Sequence, residues 1–244
     1  MLINYDGTYF NGYQIQPGVR TVQGELENVL SRITNTPVRI FAAARTDSGV
    51  HALGQSVNFH TSTPLSCAKL KKGLNALLSD DLSIMEINDV DISFHARFSA
   101  VSRSYLYLID RAEVRSPFSR FGVVHEPGNL NLEAISECMA FLVGEHDFSS
   151  FKASTDSGSH GVRRMIKTDL WEKGKYIGFF FEANAFLQHM IRNIMGTLLW
   201  VGKSKLTVSE FKEVFLSRDR RKAGPTAPAH GLYLVNVSYS EKKS

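Results

Sequence analysis

Two passes of strand, helix, strand, strand, helix, strand along 244 residues predict an α+β fold of two halves, residues 1–98 and 99–244. Three observations carry that expectation. Each half has short β-branched or alternating runs, each has helical stripes of apolar residues, and turn-forming residues separate them. No residue-level repeat accompanies the second pass, so the repetition is one of topology.

The first half opens on a strand at 1–5 and a loop at 6–20 rich in Gly, Asn and Gln. Thr21 is placed to cap a helix whose apolar residues Val22, Leu26, Val29, Leu30 and Ile33 share one face, and Pro37 ends it. A β-branched strand at 38–43 enters a short loop around Asp47, and an alternating strand at 53–60 leaves it. A helix near 66–78 buries Leu70, Leu74, Leu77 and Leu78, and a strand at 82–87 closes the half.

The second half begins with a long strand at 100–110. A loop holding Pro117 and Pro127 leads to a helix at 132–143, closed by Gly144. A long polar loop at 144–161 surrounds Phe148-Ser149-Ser150-Phe151. Strands at 163–171 and 176–183 form a hairpin across Glu172-Lys173-Gly174-Lys175. The most apolar helix spans 187–201. Thr207 and Glu210 make a capping box for a short helix, a Gly-Pro-rich link covers 223–231, and the last strand covers 232–239, with 241–244 frayed. Two such β-α-β-β-α-β units are ferredoxin-like halves whose sheets can join edge to edge.

Hydrophobic residues at 43% and charged ones at 21% suit a globular chain able to bury a substantial core. No apolar stretch is long enough to cross a bilayer, and the N-terminus has no secretory pattern, so a cytoplasmic protein without a membrane partner is expected. Cys67 and Cys138 read as small buried hydrophobes rather than a disulfide. The net charge of +4 permits a nucleic-acid partner without demanding one. Lys69, Lys71 and Lys72, then Arg163, Arg164 and Lys167, then Arg218, Arg220, Arg221 and Lys222 form basic clusters. Each is by default a solvated face, and would add phosphate affinity if it lined a cleft.

The stretch with chemical content is Ala44-Arg45-Thr46-Asp47-Ser48-Gly49-Val50-His51-Ala52. Taken alone, Asp-Ser-Gly is ordinary turn chemistry, since Asp bonds its own backbone and Gly accepts a positive φ. Arg45, two residues upstream, and the strands on either side make it also a loop on a rigid frame, where reactive groups are found. His51 beside it reads as solvated or hydrogen-bonded. Arg192 lies between Ile191 and Ile194-Met195 on a helix apolar nearly all round, where a charge is costly unless paired, so an inward ion pair is expected. Tyr105 and Tyr107 share one side of their strand and, by themselves, read as core-facing aromatics. The sequence has no phosphate-cradling glycine loop, CxxC pair or His/Asp metal cluster, so no motif calls for a cofactor or a metal.

Arg45-Thr46-Asp47-Ser48-Gly49-Val50-His51-Ala52 resembles the catalytic motif of the TruA family of tRNA pseudouridine synthases. The resemblance continues in order along the chain: Tyr5-Asp6-Gly7-Thr8 with Phe10, Gly12 and Gln14; Thr21-Val22-Gln23; Phe94-His95-Ala96-Arg97-Phe98; and Arg103-Ser104-Tyr105-Leu106-Tyr107. It ends with Phe186-Leu187, Ile191-Arg192, Gly196 and the run from Ala223 to Leu232. Ala44 stands where the family has Gly; if that Gly supplies a positive φ, the approach to Arg45 differs here. The abrupt first strand is expected to lack a few residues the family carries.

The resemblance implies a central, mainly antiparallel sheet shared by the halves, helices packed on it, a cleft between the halves, and a homodimer. It implies cofactor-free isomerisation of uridine to pseudouridine in the anticodon stem-loop, at positions 38–40 of tRNA. Asp47 is then the catalytic carboxylate, with attack at C1′, attack at C6 and removal of a 2′ proton all open. Arg192 is its charge partner. Tyr105 stacks on the uracil and helps remove the C5 proton. A paired uridine must be flipped out, and Arg45 is placed to fill the vacancy it leaves. Arg163, Arg164 and Lys167 are candidate phosphate contacts.

Two other readings of the residues remain. One is a non-catalytic RNA-binding module of two RRM-like units, although strand 103–109 lacks the RNP1 spacing of glycine and aromatics. The other is a glycosidase using Asp47, although no second acid has a matching position.

Overall fold

Among residues 1–155 and 160–240, which the computed structural model describes, β1 (Leu2–Tyr5) leads through the 6–20 loop into α1 (Val22–Thr34). Thr21 is extended and its hydroxyl accepts the Gly24 N–H, as an N-cap must. Val22, Leu26 and Leu30 are fully buried along one stripe, and Asn35 ends the helix in the left-handed region. β2 (Phe41–Ala42), β3 (His51–Asn58), α2 (Cys67–Leu77) and β4 (Leu82–Glu86) follow.

The expected strand at 38–43 contracts to β2 because side chains of α1 occupy the backbone groups a ladder would use. Ser31 accepts the Val38 N–H at 3.0 Å, Glu27 accepts the Ile40 N–H at 3.0 Å, and Gln23 donates to the Ile40 carbonyl at 3.3 Å.

The second stretch comprises β5 (Ala100–Asp110), β6 (Val124–His125), α3 (Leu132–Phe141), β7 (Gly144–Asp147), β8 (Val162–Lys173) and β9 (Tyr176–Ala183). α4 (Met190–Gly202), α5 (Val208–Leu216) and β10 (Leu232–Tyr239) complete it. The fold is α+β, with a large, mainly antiparallel sheet and helices packed on it.

The chain divides into two compact units. One comprises Met1–Arg103 together with the C-terminal strand from Tyr233; the other is Ser104–Leu232. In the first, β1 lies between β4 and β3, antiparallel to both, with Leu2 opposite Ser56 and Ile3 opposite Ile84. β10 adds to β3 in parallel, Tyr233 opposite His51.

In the second unit β9 and β8 form the hairpin, Lys173 opposite Tyr176, and β7 extends it beyond β8. Asp110 at the end of β5 is almost fully buried and accepts bonds from Lys175 at 2.8 Å and the Ala112 N–H at 2.9 Å. Burial pushes its carboxyl pKa up, but these donors outweigh it and hold the group below the usual range.

Two expectations for the second half are corrected. The helix at 132–143 stops at Phe141, and Gly144 (φ +118) opens β7 rather than closing a helix. The stretch 144–161 is not a long polar loop: it contains β7 and a 3-10 turn at 149–151, with 156–159 outside the described residues. Phe148 and Phe151 are fully buried, with ring centroids 5.2 and 5.8 Å from that of Phe215. The Ser150 hydroxyl donates to the Val214 carbonyl at 2.7 Å. Burying each ring contributes about 1.5–3 kcal/mol, which outweighs the polar composition around them. The segment 241–244, expected to fray, also lies outside the described residues. Cys138 is buried, Cys67 is only half-buried, and both are free.

Candidate active site

The Asp47 loop belongs wholly to the first unit. Val50 N–H donates to the Asp47 carbonyl at 3.1 Å, and Gly49 has φ +77, so residues 47–50 make a turn whose third position demands glycine. Asp47 is half-buried and Arg45 exposed, whereas Thr46 between them is buried.

What holds this loop is a set of polar pins from distant positions. Gln55, fully buried in β3, donates to the Ala44 carbonyl at 2.7 Å and accepts the Ala44 N–H at 3.3 Å. A side-chain amide thus takes the place of a neighbouring strand. The Arg103 guanidinium donates to the Ala43 carbonyl through Nε and Nη2, at 3.3 and 3.1 Å. Thr46 shares a hydroxyl bond with Tyr5 at 2.8 Å, and its carbonyl accepts the Tyr13 N–H at 3.0 Å. Ser48 donates to the Phe10 carbonyl at 3.2 Å. Burial raises the Tyr5 phenol pKa well above its ordinary value, so Tyr5 stays protonated.

The opening segment is therefore the cradle of the loop. Gly12 has φ +84, and a Cβ there would stand 2.9 Å from the Thr46 carbonyl, so the contact needs glycine twice over. His51 is buried and stacked on Tyr233, with centroids 4.7 Å apart, and its Nδ1 accepts the Gly7 N–H at 3.1 Å. Asp6 Oδ1 is also 3.1 Å from that nitrogen, but one nitrogen cannot accept and donate at once. That carboxylate oxygen also accepts from the Thr8 N–H and hydroxyl. Through the Gly7 bond, His51 ties the opening segment to β3. Ala44 is not among the described residues with positive φ, so replacing the family Gly costs no strain at that position.

Tyr105 and Arg192 belong to the second unit. Tyr105 is buried, edge-on to Phe186 at 5.0 Å. Tyr107, on the same side of β5, is fully buried and donates to the Pro228 carbonyl at 2.9 Å. Burial raises its phenol pKa, and the Arg192 charge pulls it back in part.

Arg192 is half-buried. The polar residues that α4 turns inward are Asn193 and Thr197, one helical turn apart and fully buried. Arg192 is gripped twice by one residue: its Nε donates to the Ala227 carbonyl at 2.8 Å, and the Ala227 N–H donates to its own carbonyl at 3.0 Å. That close approach of the 223–228 segment depends on Gly196, where a Cβ would stand 1.6 Å from the Pro225 carbonyl oxygen.

Arg163, Arg164 and Lys167 do not form one face. Arg163 folds onto the carbonyls of His160 and Val162, at 2.6 and 2.7 Å. Arg164 is exposed, and an irregularity between Met165 and Lys167 keeps Lys167 exposed as well, 3.5 Å from Asp169. Lys69, Lys71 and Lys72 are exposed on α2.

Sequence reasoning missed Gln55 and Arg103 as supports of the Asp47 loop and Ala227 as the partner of Arg192. Gln55 carried a signal, because a polar residue at a core-facing position of an alternating strand must find a partner. Arg103 in a strand carried a weaker one. Ala227 acts through its main chain, and no side chain announces that.

No helix among the described residues is long and apolar enough to cross a membrane. A family model described as tRNA pseudouridine synthase matches residues 1–99 and 139–240. A tRNA pseudouridine synthase A of Geobacillus kaustophilus is 44% identical over 242 residues, covering 99% of this chain and 94% of its own. One from Chloroflexus aurantiacus is 46% identical over 243 residues, covering 98% and 87%. One from Paraburkholderia xenovorans is 42% identical over 242 residues, covering 98% and 89%. With likeness at that level from end to end, the chain belongs to the tRNA pseudouridine synthase A family and is an isomerase.

Proposed function

We propose that this chain converts uridine to pseudouridine in the anticodon stem-loop of tRNA, at positions 38–40, with Asp47 as the catalytic carboxylate. The observation that carries the reading is the Asp47 turn, pinned on both flanks and presenting a half-buried carboxylate beside an exposed arginine. Such fixed geometry is what a reaction at one sugar and one base requires. The N1–C1′ bond breaks, the base turns, C5 joins C1′, and the C5 proton leaves as N1 gains one. Substrate and product are isomers, so no cofactor is called for.

Arg192 supplies the counter-charge to the catalytic carboxylate. Tyr105 stacks on the base and assists loss of the C5 proton. Arg45 enters the gap left by the flipped uridine. Arg164 and Lys167, with Arg163 as the weaker candidate, contact phosphates and carry recognition by shape rather than base identity. The protein works as a cytoplasmic homodimer, which sedimentation of the intact chain tests.

Tritium release from tRNA labelled at uridine C5 tests the chemistry. Wild type should release tritium, and Asp47→Ala should slow release on the order of ten-thousand-fold while still binding tRNA. Binding by wild type without release would point to an RNA-binding module, and free uracil to a glycosidase.

A further inference from the structure

The basic run at 218–222 contains one guanidinium that behaves unlike its neighbours. Arg218 lies 3.1 Å from Asp147, and Arg221 lies 2.7 Å from Asp219. Arg220 turns the other way. Its Nη1 donates to the carbonyls of Ala223 and Gly224, at 3.3 and 2.9 Å, and its Nη2 to Asn193 Oδ1 and Thr226 Oγ1, at 3.0 and 3.2 Å. Among the described residues no carboxylate pairs with it, so four neutral oxygens hold the charge. Burial accordingly lowers its pKa.

Those four oxygens join two pieces of chain. Asn193 is a buried residue of α4, fixed further by donating to the Phe151 carbonyl at 2.8 Å and accepting from the Thr226 hydroxyl at 2.7 Å. Ala223, Gly224 and Thr226 lie on the strap that runs along α4, and Thr197 accepts the Gly224 N–H at 2.9 Å. The residue after Thr226 is Ala227, which exchanges two bonds with Arg192. Arg220 is thus three short links from the Arg192 guanidinium.

We infer that Arg220 is a positioning residue for Arg192: it clamps the Ala223–Thr226 strap to Asn193 so that the Ala227 carbonyl stays on Arg192 Nε and sets the orientation of that guanidinium. The inference rests on the assignment of Arg192 as the counter-charge of the catalytic carboxylate. Lysine cannot replace Arg220, because one ammonium cannot serve four acceptors spread around a planar fork.

Single-turnover rates, tRNA affinity and melting curves of the full chain provide the test. Arg220→Lys should slow pseudouridine formation by about 10- to 100-fold with the tRNA Kd within about twofold of wild type. In an Arg192→Lys background the same change should cost less than about twofold more, because the two act as one unit. Should Arg220→Lys fail to fold, Thr226→Val removes one link of the clamp and should cost about fivefold with the same lack of additivity. A wild-type rate, a full multiplicative loss on top of Arg192→Lys, or a Kd that weakens as much as the rate falls would each overturn the positioning role. If Arg192→Lys itself kept the wild-type rate, the site assignment would fall and the inference with it. A slow Arg192→Lys beside a normal Arg220→Lys would remove the inference alone.

Discussion

The Asp47 turn in the first unit and the Arg192 region in the second solve the same problem by opposite means. Around Asp47, side chains of Gln55 and Arg103 reach in to satisfy the main chain of an irregular loop, and Tyr5 meets the Thr46 hydroxyl. Around Arg192, a regular helix presents the charged side chain, and the main chain of a strap is brought close enough to hold it. The first arrangement spreads its cost over several replaceable bonds. The second concentrates it where two backbones touch, at Gly196 and Gly224.

That difference should be visible in mutants. Gly196→Ala places a Cβ where the Pro225 carbonyl already stands, so it should cost about 3 kcal/mol and, by displacing Ala227, about 100-fold in rate. Urea unfolding and single-turnover kinetics measure the two effects. If the variant is as stable as wild type, the strap is not held by close backbone packing. Gln55→Leu leaves the Ala44 N–H and carbonyl without their partner and should cost about 2 kcal/mol, with the rate falling more than tRNA affinity.

Acid probes the ionic anchors of both units. The Asp110 carboxyl, held below its usual range beside Lys175, stabilises the fold fully above its unfolded pKa of about 3.9. Between the depressed native value and that pKa the unfolded chain binds more protons, so stability falls as pH drops through this window. Asp110→Asn should cost about 1.5 kcal/mol at neutral pH and flatten that share of the acid dependence. Asp81, lowered by Arg20, acts with the same sign in the first unit, so acid loss confined to one unit would be unexpected. The smallest effect is Tyr5→Phe, about 1 kcal/mol from one lost hydroxyl bond to Thr46, with tritium release nearly intact. A large loss of activity there would mean that the pins around Asp47 work cooperatively rather than singly.

Much of the fold was legible from local rules. Thr21 and Thr207 cap the helices that their positions promised, and β5 spans the expected 100–110. The failures share a cause. The strand at 38–43 lost its ladder to side chains of α1, and the polar run at 144–155 was drawn into the core by two phenylalanines packing on Phe215. In both, partners outside the element itself decided the outcome: side chains 7 to 17 residues back for 38–43, and Phe215, far along the chain, for 144–155. Arg192 was read as buried because its helix is apolar, yet the inward polar positions are its neighbour Asn193 and Thr197.

The sequence by itself determined the elements that depend on neighbours a few residues apart: caps, apolar stripes, the hairpin, and the Asp-Ser-Gly turn with its positive φ. Its motifs also singled out Arg45, Asp47, Tyr105 and Arg192, the residues on which the proposed function rests. Tertiary structure alone decided the return of β10 to β3, the amide of Gln55 standing in for a strand, and the grip of Ala227 on Arg192. These are long-range bonds to main-chain atoms. Every residue carries the same main-chain atoms, so only the folded chain reveals which are used.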